Sequence, residues 1–297
     1  MLEIRRGELN LSKEYETFID FIDVSEKTIK NYKIGIGNFM EYLKKNNISN
    51  PTRNDIRNYR NNLIDDYCSN TVNSYMTAIR EFFKYLSTYG IYENVVEGIK
   101  GAKTSLTPKK QILTKEQVGL IYSNLADKRE RALFSLLITT GLRGIEVAES
   151  KIEDLKLHNG EVVLWVKCKG HDEKDEYVKI PTQVLNDLKE YIGERTEGYI
   201  FVGNGNNNRN NKLTTKTIRL LIKNIFKRFG IDSDNISLHS TRRTFATIAY
   251  ENGIDIYSIQ QVLHHRSIAT TTIYLKSADR DKNNSEYKVA DCLNAVN

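Results

Sequence analysis

Hydrophobic residues recur at helical spacing through the first hundred residues of the chain. The first such segment carries Phe18, Ile19 and Ile22, and further segments repeat the three- and four-residue spacing as far as Leu86. This periodicity is typical of amphipathic helices that each bury one apolar face. Many of the apolar positions hold Tyr or Phe. The pattern therefore predicts four or five short helices that form a small bundle of their own, over residues 1–100.

Polar, turn-forming residues separate these predicted helices. Asn50–Pro51 interrupts the periodicity, because proline cannot continue a helix, and Asn54 or Asp55 is expected to cap the helix that follows. Ser69 or Asn70 is expected to cap the fourth helix in the same way.

A basic stretch without apolar periodicity follows, KGAKTSLTPKK, and it predicts an interdomain linker over residues 101–112. Beyond it, Thr114–Gln117 matches a capping box, which predicts the first helix of a second domain over residues 113–297. A strongly apolar helix is expected to end at Gly141, a residue that can adopt the left-handed conformation of a C-cap.

Strand patterns are few and lie within the second domain. Glu161–Val166 and Tyr177–Ile180 are rich in β-branched and aromatic residues, with a polar hairpin tip between them, and Tyr199–Val202 is a third short run. Helical patterns occupy most of the remainder. The predicted fold class is therefore mainly α with a small antiparallel sheet (α+β), in which an N-terminal helical bundle precedes a mixed second domain.

Composition narrows the class of protein. The chain has 297 residues, of which 39% are hydrophobic and 28% charged, a balance typical of soluble globular domains. Lys and Arg total 44 against 38 Asp and Glu, a formal charge of +6 that permits nucleic-acid binding without proving it. The basic residues on the polar helix faces are individually best explained as solvated, although a phosphate-contacting face has the same pattern.

Other classes are disfavoured. The three cysteines, Cys68, Cys168 and Cys292, are scattered, so neither a disulfide framework nor a zinc ribbon is indicated. We find no apolar run of about 18 residues and no secretory signal, so we expect no membrane association and a cytoplasmic location. His264 and His265 could suggest a metal pair, but adjacent side chains point in different directions and no third ligand has suitable spacing. We expect no metal.

Candidate catalytic residues lie in three separated segments, TTGLRGIEV, HSTRRTFAT and VLHHRSIATTTIY. Guanidinium groups bind phosphate oxygens in a bidentate way and stay charged at working pH. Histidine exchanges protons near neutrality, and a tyrosine hydroxyl can act as a nucleophile when cations or a base activate it. Each residue alone has an ordinary structural explanation, but the ordered set favours chemistry at a phosphodiester. The set consists of Arg143, His239, Arg242, His265 and Tyr274.

These three segments resemble, in order and spacing, the conserved boxes of the tyrosine recombinases, the phage integrase family that includes Xer-like site-specific DNA recombinases. The resemblance covers essentially the whole chain. It implies that Tyr274 is the nucleophile and that His239 handles its proton. It also implies that Arg143, Arg242 and His265 hold the scissile phosphate. Glu146 would support an arginine, and Lys169 on the hairpin tip would protonate the departing 5′-oxygen.

The resemblance also implies the reaction and the assembly. Duplex DNA would be cut and rejoined through a 3′-phosphotyrosine intermediate and a Holliday junction, in integration, excision or resolution, with a role in a mobile element or an Xer-like one. The N-terminal domain would be a core-binding, DNA-binding domain. The partners would be double-stranded DNA and a homotetramer on paired sites, with accessory DNA-bending proteins as further candidates.

No cofactor is expected, because the arginines supply the electrostatic stabilisation and the phosphotyrosine bond conserves the energy. The sequence lacks a G-x-x-x-x-G-K-[ST] nucleotide loop, which agrees with this expectation. Two alternatives stay open at this point. One is a type IB topoisomerase-like enzyme that relaxes DNA, and the other is a non-catalytic DNA-binding protein on the same fold.

The C-terminal tail carries a narrow apolar stripe, with Tyr287, Ala290 and Leu293 at spacings of three. Such a short helix is marginal alone and needs a docking surface. The surface could be its own catalytic domain. The family resemblance implies instead a neighbouring protomer.

Overall fold

A computed structural model of the chain describes residues 11–104, 111–168, 173–203, 211–231 and 235–282, with side chains as far as residue 275. The chain divides into two compact units, Met1–Ser105 and Leu106–Asn297. Three sequence predictions lie wholly or partly outside the described residues, namely those for Lys169, for the linker 101–112 and for the tail stripe from Tyr287 onward. Among the described residues, no helix is long and apolar enough to cross a membrane.

The first unit is helical, as its periodicity predicts. Its helices are α1 (Leu11–Phe21), α2 (Glu26–Lys45), α3 (Arg53–Asp66) and α4 (Ser69–Thr88).

Aromatic side chains fill the centre of this bundle. Phe39 packs edge-on against Tyr59 and Phe83, and all three side chains are almost completely buried. Helices α2 and α4 approach closely at Gly35, where an added Cβ would lie 3.1 Å from the Cα of Tyr75. The apolar spacing thus produces one shared core for the four helices.

The second unit surrounds a small sheet with helices. Its first elements are α5 (Lys115–Asn124), α6 (Lys128–Thr140), α7 (Gly144–Glu149), a 3-10 turn (Ile152–Asp154), β1 (Leu155–His158), β2 (Glu161–Val166) and β3 (Glu176–Lys179). They are followed by α8 (Thr182–Ile192), α9 (Thr215–Arg228), α10 (Leu238–Glu251), α11 (Ile256–Val262) and α12 (Ile268–Lys282). The sheet is antiparallel in the order β1-β2-β3, with Leu164 opposite both Leu155 and Val178. The predicted fold class is confirmed.

Some local predictions are wrong. Thr52 caps α3 through a capping box with Asp55, so Asp55 lies inside the helix and does not begin it. Cys68 occupies the N-cap position of α4. β1 was not predicted, and Tyr199–Val202 forms only isolated bridges at its two ends. These segments are four residues long, so they show too little periodicity to be assigned from sequence alone.

Helix α6 is the buried centre of the second unit and leads directly to the candidate site. It starts at the cap Asp127 and ends at Gly141, which has a left-handed φ of 64°. An added Cβ on Gly141 would lie 2.6 Å from Leu263 and 2.8 Å from Phe245. Glycine is therefore needed there for both conformation and space.

We expect Gly141→Ala to lower the free energy of unfolding by about 1–2 kcal/mol for the left-handed conformation, and by about 1–3 kcal/mol more for the overpacking. Gly230→Ala is the matched control, because Gly230 also has a positive φ of 68° but its added Cβ would meet no atom within 4 Å. Denaturant unfolding of both variants measures the difference. Equal losses of stability would contradict the close packing at Gly141.

Candidate active site

Arg143 is held at the start of α7 by Glu146. The backbone N–H of Arg143 donates to one carboxylate oxygen of Glu146 at 2.7 Å, and its Nη1 donates to the other at 2.6 Å. The Glu146 side chain has no exposed surface, whereas about a quarter of the Arg143 side chain is exposed. The carboxylate therefore fixes one edge of the guanidinium and leaves the rest of that group accessible.

Arg242 lies deeper, on α10. Its side chain is 1% exposed, and its two terminal nitrogens donate to the carbonyls of Gly141, at 2.8 Å, and Leu263. Nη1 also lies 4.0 Å from Glu146, so one carboxylate serves both arginines. Burial, and then the charge of Arg143, lower the pKa of Arg242 to about 10, which leaves it charged at neutral pH.

Tyr274 meets both histidines. It lies on α12 with 8% exposure, and its hydroxyl is 2.6 Å from Nε2 of His239. The ring of His265 stands edge-on to the Tyr274 ring at a centroid distance of 5.3 Å. Nδ1 of His265 is 2.8 Å from Oγ1 of Thr271, one turn before Tyr274 on the same helix. Tyr274 is thus brought into one cluster with His239 and His265, which lie 35 and 9 positions before it in the sequence.

The pKa shifts in this cluster follow from burial and positive charge. Desolvation raises the pKa of Tyr274, while the charge and hydrogen bonding of Arg242 act in the opposite direction. The pKa of His239 is lowered by desolvation and then by the arginine charges, although the residue as a whole is solvent-exposed. A neutral His239 can accept the proton of Tyr274 through its Nε2.

The adjacent side chains of His264 and His265 have different contacts. His264 has a left-handed φ of 48°, an uncommon conformation for a residue with a Cβ. Its ring turns toward the sheet, where Nε2 lies 3.8 Å from the carboxylate of Glu176 on β3. His265 therefore contacts Tyr274, and His264 packs elsewhere. Among the described residues, no group of three or more His, Cys, Asp or Glu side chains could hold a metal ion.

An open cleft borders the cluster. Arg143 and His265 line it, together with Cys168, Glu176, His264 and Arg266. The hairpin between β2 and β3 begins beside this cleft, and Lys169 would follow the buried Cys168 there, outside the described residues. Two other lysines lie close to Lys169 in the sequence of this hairpin. Lys167 is exposed, and Lys174 is bound to the carboxylate of Asp154 and the carbonyl of Glu149.

The structure brings together six of the residues chosen from sequence, namely Arg143, Glu146, His239, Arg242, His265 and Tyr274. Sequence reasoning gave no role to Thr271 or Arg243, which contact His265 and the Tyr274 ring respectively. Their only signal was proximity to a candidate residue along the chain, which does not by itself indicate contact.

Comparison with known proteins identifies the family of the chain. Residues 111–281 match the Phage integrase family, and residues 16–90 match the Phage integrase N-terminal SAM-like domain. The tyrosine recombinase XerA of Pyrococcus furiosus is 31% identical over 268 residues, which cover 89% of this chain and 88% of the relative. The chain therefore belongs to the phage integrase family, and the predicted enzyme class, a tyrosine-type site-specific recombinase, is confirmed.

Two solved structures share the fold. One is the XerH site-specific recombinase bound to a palindromic difH substrate, in a post-cleavage complex, with a TM-score of 0.72, 20% identity and coverage of 93% of this chain and 84% of that one. The other is a lambda integrase tetramer bound to a Holliday junction, with a TM-score of 0.68, 20% identity and coverage of 86% and 77%.

The low pKa of His265 makes the stability of the second unit depend on pH. Burial first, and then the charge of Arg242, lower this pKa from 6.5 to about 3. Between these values the unfolded chain binds a proton that the folded chain does not. Above pH 6.5 the histidine is neutral in both states and the free energy of unfolding is not reduced. As the pH falls from 6.5 toward 3, protonation of the unfolded chain lowers the free energy of unfolding.

We expect His265→Gln to lose less stability on acidification than the unmodified chain. Denaturant titrations at several values from about pH 4 to 7 measure the dependence. His158→Gln is the control, since His158 packs against Trp165 and Tyr177 on the sheet, away from the arginines. An unchanged acid dependence in His265→Gln would contradict the assigned cause.

Proposed function

We propose that this recombinase cleaves DNA through Tyr274. The observation that carries the proposal is the 2.6 Å contact between the Tyr274 hydroxyl and Nε2 of His239, in a cluster that also contains Arg242. The phenol oxygen forms a bond to the scissile phosphorus, and the bond from phosphorus to the 5′-oxygen breaks. The tyrosine proton goes to His239, and the 5′-oxygen takes a proton from Lys169.

The arginines supply the charge that this step needs. The phosphoryl oxygens gain negative charge in the transition state, and preorganised cations stabilise that charge without further reorganisation. Arg143 is partly accessible from the cleft, whereas Arg242 is anchored on two carbonyls. We assign both of them to the phosphate, with Glu146 supporting their placement.

His265 is assigned to the same phosphate as a neutral donor. If the hydroxyl of Thr271 donates to Nδ1, the imidazole carries its proton on Nε2 and can donate it to a phosphate oxygen. Its low pKa keeps the imidazole neutral, and the contact with Thr271 is what would select this tautomer. The proton transfer therefore involves His239, and His265 takes no part in it.

The wider role follows the relatives. We propose that residues 1–100 and the linker 101–112 grip double-stranded DNA, that residues 113–297 carry the chemistry, and that a homotetramer on paired sites exchanges strands through a Holliday junction. Accessory DNA-bending proteins and a cytoplasmic location belong to this proposal. The paired Tyr274 and His239 argue against a non-catalytic binder, and the recombinase relatives argue against a topoisomerase.

The nucleophile is tested with Tyr274→Phe, which removes one hydroxyl. DNA sites are selected from a random-sequence duplex library by binding to this variant, and the bound sequence is then prepared as a nicked suicide duplex. We expect the unmodified chain to give a covalent protein–DNA band on a denaturing gel. The variant should give none while binding with similar affinity. A covalent band from Tyr274→Phe would exclude this tyrosine as the nucleophile.

The general acid is tested with Lys169→Ala. This variant should cleave an ordinary phosphodiester at least about 10²-fold more slowly, the scale of one lost general acid. It should cleave a 5′-bridging phosphorothiolate at nearly the unmodified rate, because sulfur leaves without a proton. Lys167→Ala and Lys174→Ala are the matched controls and should show no selective rescue. Rescue of either control in place of Lys169→Ala would transfer the role along the hairpin.

A further inference from the structure

Arg243 is a second arginine beside the candidate nucleophile. It follows Arg242 on α10, is 7% exposed, and places its guanidinium carbon 6.0 Å from the centroid of the Tyr274 ring. A cation at this distance is attracted by the electrons of the ring face. The observed contact of Arg243 is with the ring, whereas Arg242 forms a hydrogen bond with the Tyr274 side chain.

The two neighbouring arginines therefore have different surroundings. Arg242 is bound to the carbonyls of Gly141 and Leu263 and acts on the Tyr274 hydroxyl through its charge and a hydrogen bond. Arg243 contacts the aromatic ring. Consecutive residues on a helix point about 100° apart, so one α10 segment can place charge at two sides of the same tyrosine.

The charge of Arg243 affects both partners of the proton transfer. It stabilises the ionised form of Tyr274 and disfavours the protonated form of His239. The attraction between a cation and the ring grows as the phenol becomes a phenolate, because the ring then carries more negative charge. The first effect makes the phenol easier to ionise, and the second keeps His239 in the neutral form that can accept a proton down to lower pH.

Charged and titratable groups from several elements face the same phenol. Arg242, Arg243 and His239 come from α10, Arg143 comes from the start of α7, and His265 comes from the segment before α12. All but Arg243 are already assigned to the phosphate or to the proton. Arg243 is thus the cation in this set whose observed contact is with the nucleophile's own ring.

We propose that Arg243 is a positioning residue for the cleavage reaction, which holds the ring of Tyr274 and stabilises negative charge on its phenol oxygen. The proposal rests on the proposed role of Tyr274 as the nucleophile. Arginine suits the position, because a planar guanidinium stacks on an aromatic face while remaining charged.

The test compares Arg243→Gln and Arg243→Lys in the full chain, on the selected suicide duplex, over a range of pH. Arg243→Gln should cleave about tenfold more slowly at neutral pH, and the rising limb of its rate–pH profile should move by about one unit to higher pH. Arg243→Lys keeps the positive charge but loses the planar guanidinium group. The rising limb of its rate–pH profile should stay near that of the unmodified chain.

A more acidic nucleophile supplies a second readout. Replacement of Tyr274 by a fluorinated tyrosine lowers the intrinsic pKa of the phenol, and it should restore most of the rate lost in Arg243→Gln. Arg195→Gln is the matched control. Arg195 is a half-buried arginine that donates to the carbonyls of Ile192, Tyr199 and Ile200, away from the site, so fluorotyrosine should not rescue its variant.

The outcomes separate the two proposals. Covalent attachment by Tyr274→Phe would overturn the nucleophile itself. If Tyr274→Phe is inactive while Arg243→Gln keeps the unmodified rate and profile, the role of Arg243 is wrong. A slow Arg243→Gln with an unmoved limb and no fluorotyrosine rescue would assign Arg243 to folding alone. If Arg243→Gln does not fold, Arg243→Met fills the same space without charge and is judged by the same criteria.

Discussion

The arrangement of the site depends on the interactions of the buried Glu146 carboxylate. It accepts two hydrogen bonds from Arg143 and lies 4.0 Å from Arg242. Two guanidinium groups would otherwise repel one another in surroundings with little water. One fully buried carboxylate offsets part of that repulsion and fixes the direction of Arg143, because a charge-assisted hydrogen bond is strong and geometrically selective, while two carbonyls fix the direction of Arg242.

The charge balance of the site favours the binding of an anion. Around Tyr274 the arginines carry positive charge, while His239 and His265 are held toward their neutral forms by desolvation and by those arginines. Burial makes ionisation of the phenol costly, and the nearby cations reduce that cost. Contacts within the protein hold Arg143 and Arg242 in place, which is the preorganisation that efficient electrostatic catalysis needs.

Three segments distant in sequence supply this arrangement, and each is placed by an ordinary structural device. The left-handed end of α6 at Gly141 turns the chain into α7 and presents a carbonyl to Arg242. One face of α10 supplies His239 and Arg242, since residues three apart share a helix face. Helix α12 brings Tyr274 to them, and Thr271 on the same helix binds His265.

The sequence by itself determined the helical framework, the capping box at Thr114 and the glycine end of α6, because periodicity and capping are local properties of consecutive residues. It also indicated the candidate residues, from three ordered segments that resemble one family. The caps at Thr52 and Cys68 and the strand β1 needed the structure, since a single turn or a four-residue strand carries little periodic signal. Only the tertiary structure decided that His265, and not His264, contacts Tyr274, and that Arg243 lies on the ring. Those contacts depend on the left-handed backbone of His264 and on the packing of α10 against α12, which join residues that no local pattern relates.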